Sequence, residues 1–203
     1  MIEPIARIRI ELQEIEPRIW RRVDVPLSTT LLALHDIVQI AFRWTDSHLF
    51  EFEVGGRIYG EPENDLFGER RIYKAASLRV KTVVDRGVER FLYVYDFGDE
   101  WRHDLFIEEV REGEPDVDYP AFVEGERRGP PEDVGGPPGF MEFLEAMRNP
   151  FHEEHESVVR WYGKLFEPED IDELWVRLRL EMVAGRRRGP LMSHRGSARR
   201  PRG

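Results

Sequence analysis

What most constrains this chain is an apolar period of two residues that recurs in separate stretches. Ala6, Ile8, Ile10 and Leu12 alternate with Arg7, Arg9 and Glu11, the pattern of a strand with one face buried and the other wet. After Pro17, Ile19 to Val25 reads as a second extended stretch, closed by Pro26. The period returns at His48, Phe50, Phe52 and Val54, and Gly55-Gly56 predicts a hairpin into Arg57-Ile58-Tyr59. The strongest strand pair is Arg90 to Tyr95 followed by Trp101 to Val110. They are joined by a turn at Phe97-Gly98-Asp99, where Gly98 is expected to supply a positive φ. A long, largely apolar hairpin of this kind belongs inside a sheet, because at a free edge it would invite aggregation.

Helical spacing interrupts this pattern. Leu31, Leu34, Ile37, Val38 and Ala41 predict a helix to about Phe42, capped by Ser28, Thr29 or Thr30. Further helices are expected at Leu78–Val84, Phe140–Met147 and Glu153–Tyr162. A last one should be opened by Pro168 and run to about Met182, with Ile171, Leu174 and Leu178 on one side. Residues 60–77 and 111–138 read as irregular loops. Strands, one helix, strands again and then helices predict a single α+β domain, a largely antiparallel sheet covered by helices.

Charge divides the chain. Its 40 acidic and 30 basic side chains give −10, yet seven arginines and no acid fall in residues 185–203, leaving −17 on residues 1–184. The domain is therefore placed at 1–184, with 185–203 an Arg-rich tail whose composition predicts disorder. Nucleic acid could be met only through that tail, since the acidic body would repel phosphates. No apolar run is long enough for a membrane span. The start Met1-Ile2-Glu3-Pro4 lacks a signal-peptide profile, so a cytoplasmic protein is expected. Cysteine is absent, which excludes disulfides, thiolate metal sites and cysteine nucleophiles.

Chemistry-bearing residues gather in three places. The string Tyr95-Asp96-Phe97-Gly98-Asp99-Glu100-Trp101-Arg102-His103 puts two carboxylates in a turn, with Trp101 and His103 on one strand face and Tyr93 and Tyr95 on the partner strand. His48 follows Trp44 at the start of its own strand. Glu132 and Asp133 stand on a stiff Pro130-Pro131 loop that runs into Gly135-Gly136. An aromatic–acidic pocket of Trp44, His48, Tyr93, Tyr95, Asp96, Asp99, Trp101, His103, Glu132 and Asp133 would suit a ligand or protein partner. His48, Asp99 and His103 are the candidates for a divalent metal, which would need histidine and carboxylate ligands alone. Such an ion would open a hydrolytic alternative. His152-Glu153-Glu154-His155 is not a zincin motif, because its histidines are three apart rather than four.

Taken together, Pro17-Arg-Ile-Trp-Arg-Arg-Val-Asp-Val-Pro26, Leu34-His35 through Gln39, Phe42-Arg-Trp44, His48-Leu49, the Tyr95–His103 string and Pro130-Pro-Glu-Asp-Val-Gly-Gly136 resemble the plasmid pRiA4b ORF-3-like family over roughly residues 5–180. The resemblance implies a single α+β domain, met on plasmids and bacterial chromosomes, and leaves three readings of function. A binding or interaction module comes first, a metal-assisted hydrolase second, and a nucleic-acid-associated protein of mobile elements third. Relatives often carry cysteines in the loop where this chain has Phe122, Gly129 and Val134, so a thiol-based site there is not available to it.

Overall fold

The computed structural model describes residues 3–62 and 70–188. Within these residues eight strands form one sheet: β1 (Pro4–Leu12), β2 (Trp20–Pro26), β3 (Phe50–Val54), β4 (Arg57–Gly60), β5 (Ile72–Lys74), β6 (Arg90–Tyr95), β7 (Trp101–Glu112) and β8 (Ala121–Glu126). Their order is β5-β4-β3-β6-β7-β1-β2-β8. Every neighbouring pair is antiparallel except β4 with β5. The β6–β7 hairpin sits between β3 and β1, so both of its outer edges are hydrogen-bonded. Among the described residues five α-helices accompany the sheet: α1 (Leu31–Phe42), α2 (Val80–Asp85), α3 (Gly136–Arg148), α4 (His155–Tyr162) and α5 (Glu173–Arg188).

The two faces of the sheet solve different problems. On one, Ile8, Ile10, Phe52, Tyr93, Trp101 and Leu105 are buried in a single core with Leu34, Val38 and Phe42 of α1 and Phe140 of α3. On the other, cross-strand pairs carry opposite charges. Arg7 binds Asp24 through Nε and Nη2 at 2.8 and 2.9 Å. Arg90 grips Asp104 with two bonds of 2.8 Å, and Arg22 reaches both Glu108 and Glu124. The solvent-facing pairs of Arg90 and Arg22 contribute little each, roughly 0–1 kcal/mol, whereas Asp24 is buried beneath its arginine. As a set they favour one register, because a slip would bring like charges together.

Helix α1 begins where the sequence predicts, with Thr30 Oγ1 accepting from the Ala33 N–H at 3.2 Å. Elsewhere the expectations need correction. Residues 111–138 are not one loop, for β7 continues to Glu112 and β8 follows at Ala121–Glu126. As an edge strand β8 buries only Phe122, so it lacks the alternation that would announce it. The short β5 within 60–77 was hidden for the same reason. The last helix starts at Glu173, because Pro168 lies in a loop where its carbonyl accepts the Arg128 N–H. Its buried side is Val176, Leu180 and Ala184, whereas Leu174 and Leu178 are 70% and 51% exposed. The helix also reaches Arg188, past the boundary placed at residue 184. Residues 189–203, most of the arginine-rich tail, lie outside the described residues. Among those described, no helix is long and apolar enough to cross a membrane.

Candidate functional site

Three connections meet at one end of the sheet. Phe50 pairs with Tyr95 across β3 and β6, and the Asp96 N–H donates to the Leu49 carbonyl at 2.9 Å. Strand pairing therefore brings the segment before β3, which carries His48, beside the turn after β6, which carries Asp96. The third connection, residues 129–135, is tied across both. Trp44 Nε1 donates to the Pro130 carbonyl at 2.9 Å. Glu132 accepts from the Thr45 N–H at 2.7 Å and from the Tyr95 hydroxyl at 3.1 Å. Burial first, and then the Glu132 carboxylate, raise the Tyr95 phenol well above its ordinary range, so it stays protonated and donates.

The turn after β6 differs from the expected one. Positive φ falls on Asp96 (57°) and Glu100 (55°), and Gly98 is not among the left-handed residues. Asp96 Oδ1 accepts from the Gly98 and Asp99 N–H groups at 2.9 and 3.3 Å, which offsets the cost of a left-handed aspartate. That leaves Oδ2 facing His48 Nε2 at 3.5 Å. Asp133 is also left-handed, at φ 57°, and its Oδ1 lies 3.0 Å from the same nitrogen. Glu132 Oε2 stands 4.0 Å away. Despite these distances His48 Nε2 is shielded from solvent and makes no hydrogen bond.

His48, Asp96 and Asp133 thus present one nitrogen and two oxygens, all within 4.8 Å of one another. Around a divalent ion with bonds of about 2.1 Å, neighbouring ligand atoms stand roughly 3.0–3.4 Å apart. The His48–Asp133 distance of 3.0 Å fits that spacing, and the His48–Asp96 distance of 3.5 Å lies just beyond it. The donor set, one imidazole with two carboxylates, suits a hard or borderline cation.

The other residues singled out by sequence divide. Tyr95 and Glu132 brace the site from behind, and Trp44, buried, stacks on Tyr95 at 4.8 Å. Asp99 pins the third connection, accepting the Gly135 N–H at 3.1 Å. Tyr93, Trp101 and His103 lie inside the core and cannot line an open pocket. Tyr93 faces His103 and Tyr95 faces Trp101 across β6–β7. His103 donates from Nδ1 to the Trp101 carbonyl at 3.1 Å and meets Phe42 and Trp44 edge-on. Burial pushes its imidazole down to about 3, so it is neutral, and its place in the core sets it apart from the open end of the sheet. Of the three metal candidates read from sequence, only His48 belongs to the cluster; its partners are Asp96 and Asp133 rather than Asp99 and His103. His155 of the rejected motif spends Nδ1 on the Ala146 carbonyl at 2.8 Å.

A ring of hydrogen bonds that sequence reasoning missed holds the His48 segment. His35 Nε2 donates to Asp46 Oδ1 at 2.9 Å, and its Nδ1 accepts from the Tyr93 hydroxyl at 2.7 Å. Gln39 Nε2 donates to that hydroxyl at 3.1 Å while Gln39 Oε1 accepts the Asp46 N–H at 2.9 Å. Burial lowers His35 and raises Tyr93, which fixes the neutral imidazole and the donating phenol. The available signal was two polar residues, His35 and Gln39, four apart on the apolar face of a helix.

Gly136 offers a direct test of this assembly. It is left-handed at φ 67°, and a Cβ there would lie 2.5 Å from the Asp99 carbonyl oxygen. Because the obstacle is backbone, no rotamer relieves it. Gly136→Ala is expected to lower stability by about 2–3 kcal/mol and to displace Asp133. Thermal melts would check this, and a variant melting within a degree of the parent would refute it.

Comparison with known proteins places these residues in a wider group. The family model for the plasmid pRiA4b ORF-3-like protein matches residues 4–174, which include all three connections. The chain is 37% identical over 163 residues to the uncharacterized protein y4hQ of Sinorhizobium fredii (strain NBRC 101917 / NGR234), covering 80% of this chain and 83% of that protein. Its fold is similar to the crystal structure of MM3350, a protein of unknown function from Methanosarcina mazei Go1. That likeness has a TM-score of 0.75 and 32% identity, and covers 83% of this chain and 95% of that one.

Proposed function

The chain belongs to the plasmid pRiA4b ORF-3-like family, and we propose that it is a binding module whose ligand is engaged through a divalent cation at His48, Asp96 and Asp133. The observation that carries this reading is the triad itself. Three ligand atoms from three separate connections lie within 4.8 Å, and the histidine nitrogen makes no hydrogen bond. Three protein ligands leave further coordination positions for a carboxylate, phosphate or hydroxyl of the ligand.

Hydrolysis by an ion-bound water is the second reading, favoured by Glu132, whose Oε2 stands 4.0 Å from His48 Nε2. Both Glu132 oxygens, however, lie within hydrogen-bonding reach of the Tyr95 hydroxyl, and Oε1 also accepts from Thr45. Held this way it braces the loop, and a base would have to give up those bonds. Binding is therefore preferred to catalysis.

Calorimetric titration of chelator-treated protein with Mn²⁺, Zn²⁺, Mg²⁺ and Ca²⁺ tests the proposal. One ion per chain is expected for at least one metal. At a hundredfold excess over Kd the ion would add about 2.7 kcal/mol, raising Tm by roughly 5–10 °C. Asp133→Asn should weaken binding at least tenfold; it is the cleaner variant because Asp96 also caps its own turn. No stoichiometric binding and no Tm change with any of the four ions would sink the reading.

A further inference from the structure

Helices α3 and α4 enclose a groove of about 540 Å³ that starts at Asp133 and runs past Glu142, Glu145 and Glu153, with Phe143 and Trp161 on its apolar wall. We infer that this groove takes an arginine-bearing peptide segment of a partner protein. This goes beyond the cation reading and does not depend on it.

Charge is the first reason. Among the described residues no lysine or arginine lines the groove, and Glu142, Glu145 and Glu153 take part in none of the ion pairs. That contrasts with the open sheet face, where Asp24, Asp104, Glu108 and Glu124 each meet an arginine. Carboxylates left unpaired around a concavity attract a cation from outside.

The apolar wall is the second reason. Trp161 is 52% exposed, braced edge-on by Phe143 at 5.8 Å, so an indole face is presented next to the acids. A guanidinium stacks on such a face while its N–H fork engages a carboxylate, a combination the compact ammonium of lysine reproduces less well. Acids contributed by α3, by the loop before it and by the turn before α4 suit several cationic side chains along a segment better than one small amine.

The experiment uses the full chain in EDTA, which removes any divalent ion, and measures binding of hexa-arginine and hexa-lysine peptides by fluorescence anisotropy at low salt. Hexa-arginine is expected to bind several-fold more tightly than hexa-lysine. Trp161→Ala should weaken it about tenfold, and so should the triple variant E142Q/E145Q/E153Q, whose exposed substitutions leave the core untouched. The control E14Q/E53Q/E89Q, acids away from the groove, should change affinity less than twofold. Equal loss in control and groove variants would mean diffuse attraction to an acidic surface and would overturn the inference. Equal affinity for the two peptides would overturn the role given to Trp161. Tenfold tighter binding to the variant R195Q/R199Q/R200Q/R202Q would show the groove already filled by the chain's own arginines, and the partner assignment would fall.

Discussion

Lowering the pH from 6.5 toward 3 is expected to remove on the order of 5 kcal/mol of folding stability through His103 alone. Burial holds this imidazole at about 3 in the folded chain, against about 6.5 when unfolded. The folded value is the depressed one, so acid protonates the unfolded chain first. Stability is therefore whole above pH 6.5 and drains by about 1.4 kcal/mol per pH unit until the folded group titrates. His35, lowered chiefly by its own burial, acts in the same direction. Urea unfolding at pH 7.5, 6, 5 and 4 gives the slope. His103→Asn should be less stable at neutral pH, having lost the contacts with Phe42 and Trp44, and because its slope should be shallower by close to one proton the gap between the two proteins should close as the pH falls. Parallel slopes for the two proteins would show that His103 is not buried and neutral in the folded chain.

The second large effect is expected at Trp44. Its indole packs against Phe42, Tyr95 and His103, and Nε1 holds the Pro130 carbonyl. Trp44→Ala should cost about 3–5 kcal/mol, a fall in Tm of roughly 6–20 °C for a domain of this size. Trp44→Phe separates the two roles. It keeps a ring in the core but frees Pro130, so about 1–2 kcal/mol is lost while cation affinity falls tenfold as Asp133 drifts. A Trp44→Ala protein melting within two degrees of the parent would refute the packing role. Unchanged cation affinity in Trp44→Phe would refute the tether.

Legibility varied along the chain with how much of the signal was local. The β6–β7 hairpin and α1 were plain because their apolar positions repeat with one period over six residues or more. The edge strands β5 and β8 were not, since Ile72–Lys74 and Ala121–Glu126 bury few side chains and take their conformation from the neighbour that hydrogen-bonds them. In α5 the period was read correctly but phased to the wrong face. Ile171 and Leu174 suggested a stripe that continues to Leu178, whereas the helix, packed against β8 and α1, buries Val176 and Leu180, and Arg177 reaches the Phe122 carbonyl at 2.7 Å.

By itself the sequence determined the secondary structure of the central sheet, the acidic character of the body, the absence of thiolate chemistry and a wider set of histidines and carboxylates, in which Asp96 and Asp133 stood as pocket residues and not as metal candidates. Those properties depend on side-chain type and local period, which a single chain displays openly. Which members of that set meet was decided only by the tertiary structure. His48 and His103 look alike in sequence, each beside an aromatic strand with aspartates nearby. One is placed by the Phe50–Tyr95 pairing at the open end of the sheet, opposite Asp96 and Asp133. The other is turned by the strand's alternation into the core, where desolvation outweighs any gain from charge. The physical reason is range: alternation is set within a few residues, while the meeting of three connections depends on partners 37 to 85 positions apart and on what each must bury to get there.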